Sequence, residues 1–252
     1  EDIDEGRCDV KWSKEIIHTL GQHGLVSDQE PWIQSERYGY YQTVLETLQG
    51  KGLIYPCGCT RKDIEKANAH RALGENRIYP GTCAQGMPKG KSVRSFRLRC
   101  PKEAVQWSDW RLGNFLEYLQ ATSGDFVLKR GDGFWAYHLA VVVDDIASGV
   151  THIVRGEDLV ETTARQVALY QALGQQPPFY WHLPIILAED GQKLSKQTGA
   201  AAISGNLPIN NLNAVWKHFA LPSINADRCQ DWLNEALPLW AAYRQHSKAS
   251  AR

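Results

Sequence analysis

Gly149-Val150-Thr151-His152-Ile153-Val154-Arg155-Gly156-Glu157-Asp158 is the stretch on which the fold turns. The β-branched run 150–154 reads as a strand, and Asp158 opens a helical pattern that continues over 158–173 to Gly174. The same alternation extends to either side. Strands are predicted over 106–110, 126–129 and 182–187, and a helix over 134–143. Strands alternating with helices specify an α/β fold built on a parallel, doubly wound sheet. Ligands of such sheets bind beside strand C-termini and helix N-termini, which is where Arg155 stands. Its guanidinium could hold a carboxylate in a bidentate pair, or instead pair with Glu157 or Asp158. Tyr137 is in turn a ligand-facing phenol or a core residue.

Upstream, Ile16, Ile17 and Leu20 share one face of a helix expected over 13–23, with Ser13 as its cap. A second helix spans 35–49, with Tyr38, Tyr41, Val44, Leu45 and Leu48 at helical spacing, and residues 53–56 form a short strand. Residues 57–103 differ in character. They open on Cys57-Gly58-Cys59, enter a helix with a capping box at Thr60 and Asp63, and loosen into a Gly/Pro/Lys-rich loop over 80–91. A strand over 94–99, with Phe96 and Leu98 inward, closes the segment. It carries Lys62, Lys66, Arg71, Arg77, Lys89, Lys91 and Arg94. The tail holds helices over 212–220 and 229–246.

Lys plus Arg equals Asp plus Glu at 28 each, so any nucleic-acid contact must come from a local patch such as this segment. No apolar run is long enough to cross a bilayer and no signal peptide is visible, so a cytoplasmic protein with no membrane contact is expected. Six cysteines without a secretory signal argue against a disulfide scaffold. Cys8, Cys100 and Cys229 read as inert core residues.

Cys57, Cys59 and Cys83 are grouped. Two thiolates one residue apart reach one ion more readily than each other, and Cys83 supplies a third sulfur. Tyr79 is available as an oxygen ligand, His70 lies between, and zinc is the expected ion, in a structural role. The alternative is three unrelated core cysteines. Asp144 and Asp145 follow an apolar run, where they could bind Mg²⁺, orient an amine or simply end a helix. The loop 189–197 follows the strand 182–187 through an Asp-Gly turn. It carries Lys193 and Lys196, ammonium groups suited to a polyphosphate or to a solvated turn.

As a set these strings resemble the glutamyl-tRNA synthetases. Glu1-Asp2-Ile3-Asp4 resembles their RIED-type element. Val143-Asp144-Asp145 with Gly149 to Gly156 resembles their block containing VVDDH, ITH and RG, and Lys193-Leu194-Ser195-Lys196 resembles the KMSKS loop of class I synthetases. The cysteine pattern with Tyr79, the Gln197 that ends the loop motif and the short stretch after it are similar to the glutamyl-queuosine tRNA(Asp) synthetase family.

That resemblance implies tRNA-independent activation of L-glutamate by ATP, with Mg²⁺. The glutamyl group would then pass to the queuosine base at the anticodon wobble position of tRNA(Asp). Carried over by position, Glu1, Tyr137 and Arg155 would bind glutamate, Lys196 the ATP phosphates with Lys193 assisting, and Cys57, Cys59, Tyr79 and Cys83 would hold Zn²⁺. The implied organisation is a Rossmann-type catalytic domain (1–56 and 104–200), an inserted zinc-binding subdomain (57–103) and a helical C-terminal region (201–252) in a monomer. Family members begin with a strand and a HIGH-like motif, so an N-terminally truncated sequence is expected. The competing expectations are a non-catalytic tRNA-binding paralogue and a fragment of an ordinary glutamyl-tRNA synthetase.

Overall fold

The computed structural model describes residues 2–3, 8–72, 75–187, 191, 193–194, 202–203 and 205–249. They fall in two compact units, one formed by 1–4 with 33–182 and the other by 5–32 with 183–252.

In the first unit a four-stranded sheet has the order β4 (Gly113–Glu117), β3 (Val105–Asp109), β7 (Phe179–Leu183), β6 (His152–Gly156). β3 and β7 run parallel, with Asp109 opposite Tyr180, in keeping with the α/β expectation. β3 and β4 form an antiparallel hairpin, and β4 is a strand that periodicity missed. Its side chains are half-buried and exposed by turns, so it lacks the apolar run that marked its neighbours. β7 begins before the predicted 182 and stops at Leu183, because Pro184 has no N–H to continue the ladder. β6 starts two residues later than expected.

Helices α2 (Tyr38–Gly50), the short α4 (Leu119–Thr122), α5 (Tyr137–Ser148) and α6 (Val160–Leu173) supply Tyr41, Leu45, Leu48, Leu119, Leu139, Val142, Val167 and Leu169 to the core of this unit. The helix predicted over 134–143 is displaced. Trp135 instead bridges to Lys129, and α5 continues until Gly149 caps it at φ 69°.

Asp144 and Asp145 therefore lie inside α5 rather than beyond its end. The Asp144 carboxylate accepts from Arg37 Nε at 2.7 Å, Tyr41 Oη at 2.7 Å and Gln34 Nε2 at 3.1 Å, tying α5 to α2. Asp145 accepts from Tyr170 of α6 at 3.2 Å. Asp144→Ala would remove the shared acceptor of Arg37, Tyr41 and Gln34 at a site where Asp144 and Arg37 are only 15% and 20% exposed. A loss of about 2–4 kcal/mol is expected, read as a lower urea midpoint with unchanged slope.

A three-stranded antiparallel sheet, β1 (Ile54–Cys57), β2 (Ser95–Leu98), β5 (Val127–Arg130), carries the cysteine-bearing segment. Its helix α3 (Arg61–Ala67) has the expected capping box, in which Thr60 Oγ1 accepts from the Asp63 N–H and Asp63 from the Thr60 N–H. On β2 the expected inward pair is only partly realised: Leu98 is buried and Phe96 half-buried, and Arg97 on the opposite face is buried as well.

In the second unit α1 (Val10–Gln22) is capped by Asp9, not Ser13, since Asp9 accepts from the Lys11 N–H at 2.9 Å. Its apolar face is exposed, with Ile16, Ile17 and Leu20 at 57%, 53% and 44%. Helices α7 (Pro208–His218) and α8 (Cys229–Ala249) pack around Trp216, Ile224, Trp232 and Ala236. Of the three lone cysteines only Cys100 is buried; Cys8 is exposed and Cys229 half-exposed, so the core reading fails for those two.

Candidate active site and metal centre

Arg155 is the penultimate residue of β6 and is half-buried. Its Nε donates to His182 Nε2 at 3.0 Å, Nη1 to Gln166 Oε1 at 2.7 Å, and Nη2 to Thr163 Oγ1 at 2.8 Å. The Tyr180 ring lies below it, 5.3 Å from centroid to Cζ. Neither acid considered from sequence pairs with it. Glu157 pairs with Arg111, and Arg155 makes no ion pair among the described residues. A half-buried guanidinium held only by neutral acceptors keeps its charge available for an incoming carboxylate.

Beside it two buried polar atoms, Gln166 Nε2 and Tyr180 Oη, have no hydrogen-bond partner among the described residues. Native buried polar groups are nearly always satisfied, so such a pair next to a cation suits a polar ligand. Burial raises the Tyr180 phenol, with Arg155 partly opposing and Asp145 and Tyr137 adding to the rise, so Tyr180 stays a neutral donor. Tyr137, the first residue of α5, is half-buried and close enough to act on Tyr180 electrostatically. Arg155 and Tyr137 thus share one neighbourhood through Tyr180.

His182 and Asp109 were not singled out in the sequence, where His182 read as the start of an apolar strand. Both side chains are fully buried, and His182 Nδ1 lies 2.7 Å from Asp109 Oδ2. The other Asp109 oxygen accepts from the Arg111 and Leu112 N–H groups at 2.9 and 2.8 Å, shaping the β3–β4 turn. Burial pushes the Asp109 carboxyl up, but the His182 hydrogen bond and the backbone donors outweigh it and hold it below the usual carboxylate range. The only local clue was an Asp four residues before Gly113, a turn signal.

Glu1 and Lys196 lie outside the described residues. Lys193 is exposed and pairs with Leu187 across an antiparallel bridge, and the Leu194 N–H donates to Ile186 O at 3.0 Å. Gly191 turns this segment at φ 78°.

The cysteine centre is compact. Cys57, Cys59 and Cys83 are buried and their sulfurs lie within 4.8 Å of one another. Tyr79 Oη is 3.3 Å from Cys57 Sγ and 3.8 Å from Cys59 Sγ, and the two sulfurs of Cys59 and Cys83 are 3.7 Å apart. Tetrahedral zinc, with Zn–S about 2.3 Å and Zn–O about 2.1 Å, requires edges of about 3.8 Å between sulfurs and about 3.6 Å from sulfur to oxygen. The donor set fits that ion. His70 is exposed and stands outside the cluster.

Arg97 stacks over Tyr79 at 3.8 Å and donates through Nε to Cys57 Sγ at 3.3 Å. Burial pushes the Cys57 thiol up, yet hydrogen bonds from Tyr79, the Cys59 N–H and Arg97 bring it down to about 7. Burial raises Cys59, with its sulfur neighbours contributing. Gly124, at φ 66°, lets Tyr79 approach, since a Cβ there would overlap the Tyr79 backbone.

The basic bias of this segment is partly neutralised: Lys91 pairs with Asp63, Arg77 with Glu65 and Arg71 with Glu75. A cleft of about 790 Å³ beside the cysteines is lined by Arg61, Arg77, Arg94, Arg97 and Arg130. No helix among the described residues is long and apolar enough to cross a membrane.

Residues 1–207 match the family described as tRNA synthetases class I (E and Q), catalytic domain. The chain is 44% identical over 248 residues to a Glutamyl-Q tRNA(Asp) synthetase of Janthinobacterium sp. (strain Marseille), covering 96% of this chain and 83% of that one. It is 45% identical over 253 residues to the protein of the same name from Leptothrix cholodnii, covering 96% and 84%. Among solved structures it is similar to a glutamate tRNA ligase from Elizabethkingia meningosepticum in complex with its amino acid, at 26% identity and TM-score 0.65. That match covers 78% of this chain, which spans only 44% of the ligase. A glutamate-tRNA synthetase from Elizabethkingia anophelis matches with TM-score 0.66 at the same identity, covering 79% of this chain and 45% of that one. With this sheet, this arginine and these relatives, the chain belongs to the class I tRNA synthetases for E and Q and, within them, to the glutamyl-Q tRNA(Asp) synthetase family.

Proposed function

We propose that the protein activates L-glutamate with ATP in the absence of tRNA and transfers it to the queuosine base at the wobble position of tRNA(Asp). In the first step a glutamate carboxylate oxygen attacks the α-phosphorus of ATP and pyrophosphate leaves. In the second a hydroxyl of the queuosine cyclopentenediol attacks the glutamyl carbonyl and AMP leaves. The observation that carries this reading is the extent of the match to relatives of that name, which reaches over four-fifths of their length.

Arg155 supports the choice of an acidic amino acid, as a half-buried cation held by neutral acceptors. Tyr137 and Glu1 complete the glutamate site in this reading. Lys196, assisted by Lys193, meets the phosphates of ATP, which binds with Mg²⁺. Zn²⁺ is held by Cys57, Cys59, Tyr79 and Cys83 in a structural role. Residues 1–56 with 104–200 form the catalytic domain, 57–103 the inserted zinc-binding subdomain and 201–252 a helical C-terminal region, in a monomer.

Glutamate-dependent ATP–pyrophosphate exchange by the full-length protein without tRNA tests the first step, and labelled glutamate retained on queuosine-containing tRNA(Asp) but not on unmodified tRNA(Asp) tests the second. Lys196→Ala is expected to slow exchange by about a hundredfold or more, as loss of a donor to transition-state charge does. An unchanged rate would move the phosphate contact elsewhere, and absence of exchange from wild type would sink the reading.

A further inference from the structure

Arg155 is a site residue whose orientation is not set by its own strand. Its Nε–H reaches His182 Nε2 at 3.0 Å on the neighbouring strand β7, and the opposite ring nitrogen of His182 lies 2.7 Å from Asp109 on β3. Three strands are thus linked through His182, whose Nε2 also lies 3.3 Å from the Thr163 hydroxyl that Arg155 Nη2 meets.

The protons along this link follow from valence. A guanidinium only donates, so His182 Nε2 must carry a lone pair; a carboxylate only accepts, so His182 Nδ1 must carry the proton. Asp109 is itself pinned by backbone donors, the His182 N–H at 2.9 Å among them, and His182 has no exposed surface. Neither group has freedom to turn. The planar guanidinium is therefore gripped along its Nε edge, while Gln166 and Thr163 hold its two terminal nitrogens.

We infer that His182, aligned by Asp109, is a positioning residue that fixes the plane of Arg155 for the substrate carboxylate. The inference rests on the reading of Arg155 as the carboxylate-binding group and deepens it. A bidentate pair requires the guanidinium and carboxylate to be coplanar, so a rotation about the Arg155 side chain would cost affinity without removing any charge. Anchoring through a neutral acceptor has a second effect. A carboxylate in the place of His182 would hold Arg155 as firmly but would neutralise it. The imidazole instead passes on the orientation set by Asp109 while keeping a full negative charge one ring away.

Two substitutions separate this role from simple support of the β3–β4 turn. In His182→Gln the side-chain amide reaches the place of Nε2 and can still accept from Arg155, while losing the donor to Asp109. In His182→Asn it reaches the place of Nδ1 and can still donate to Asp109, while losing the acceptor for Arg155.

Exchange kinetics on the full-length protein would be measured for both. His182→Asn is expected to raise the glutamate KM by about tenfold or more, the range seen when a partner that orients a binding group is lost, with the ATP KM within about twofold. His182→Gln, which keeps the acceptor for Arg155 but loses the alignment by Asp109, should raise the glutamate KM by a smaller factor, about threefold. The opposite ranking, or equal rises in both KM values, would overturn the inference and leave His182 as a partner of Asp109 alone.

A second readout does not depend on activity. In ¹⁵N-histidine-labelled protein the resonance lost on His182→Gln should be a neutral imidazole protonated at Nδ1. An imidazolium or an Nε2–H tautomer would overturn the relay. Wild-type protein that forms the Nδ1–H tautomer but shows no glutamate-dependent exchange would sink the substrate role together with the proposed function, while leaving the grip on Arg155 established.

Discussion

Replacing Arg155 by Leu is expected to raise the glutamate KM by about a hundredfold to a thousandfold, with the ATP KM little changed. The magnitude follows from removing one partner of a desolvated, hydrogen-bonded charge pair, which costs about 3–5 kcal/mol. Among the described residues no other cation hydrogen-bonds to the side chains that hold Arg155. The other groups facing that position, Gln166, Thr163, His182 and Tyr180, are neutral, and a carboxylate left among them would have no cation to meet.

Arg155→Lys should fall close behind Leu. An ammonium is a compact point charge on a flexible stem and cannot engage His182, Gln166 and Thr163 together while presenting a flat edge to a carboxylate. The substitution also frees the acceptors that Arg155 now satisfies, so some stability is lost, about 1–3 kcal/mol by unfolding. A glutamate KM within threefold of wild type for either variant, in folded protein, would show that the carboxylate is bound elsewhere.

The second large effect concerns the metal. Elemental analysis is expected to find about one zinc per chain, and Cys83→Ser to lose it. Structural zinc contributes on the order of 10 kcal/mol to small domains of this kind. The cluster that buries Cys57, Cys59, Tyr79 and Cys83 has only Tyr55 as a further buried member, with Ile64, Ala84 and Met87 half-buried beside it. That apolar surface is too small to hold the segment by burial alone.

Three thiolates and the Tyr79 phenolate around a dication would leave two net negative charges, and Arg97, against Cys57 and stacked over Tyr79, offsets one of them. Chelation or Cys83→Ser should therefore raise hydrogen exchange in α3 and around Cys57 and Cys59, while α5 and α6, whose core also takes Ile54 of β1 and Leu98 of β2, keep their protection. Undenatured protein with zinc near zero, or unchanged exchange in α3 and around Cys57 and Cys59 after chelation, would reduce the centre to three buried cysteines.

Much of this was readable residue by residue because it depends on neighbours in the chain. The Thr60–Asp63 capping box lies within one helical turn, and it formed as expected. Elements were harder to delimit where two local signals competed. The apolar run 182–187 looks like one strand, but Pro184 removes a ladder donor and the pairing stops at Leu183. The Asp144-Asp145 pair, two charges after three valines, reads as a cation or amine site or as a helix end, and the helix in fact runs on to its stop at Gly149. Asp144 stays inside because Arg37, Tyr41 and Gln34, over a hundred positions away in sequence, meet it.

What the sequence by itself determined is the α/β class, the family resemblance and the residue types of both centres: Arg155 at a strand-to-helix junction, and three sulfurs with a phenol close enough to share an ion. Those depend on periodicity, spacing and local turn chemistry, all of which are properties of short stretches. Only the tertiary structure decided that Arg155 keeps its charge. It brought Glu157 to Arg111, away from Arg155, and placed His182, Gln166 and Thr163 around the guanidinium. It likewise chose Asp109, seventy-three residues from His182, as the group that orients the ring. Hydrogen-bond partners across strand ends are set by register and by which strands lie side by side. Neither is encoded in any window of the chain short enough to read directly.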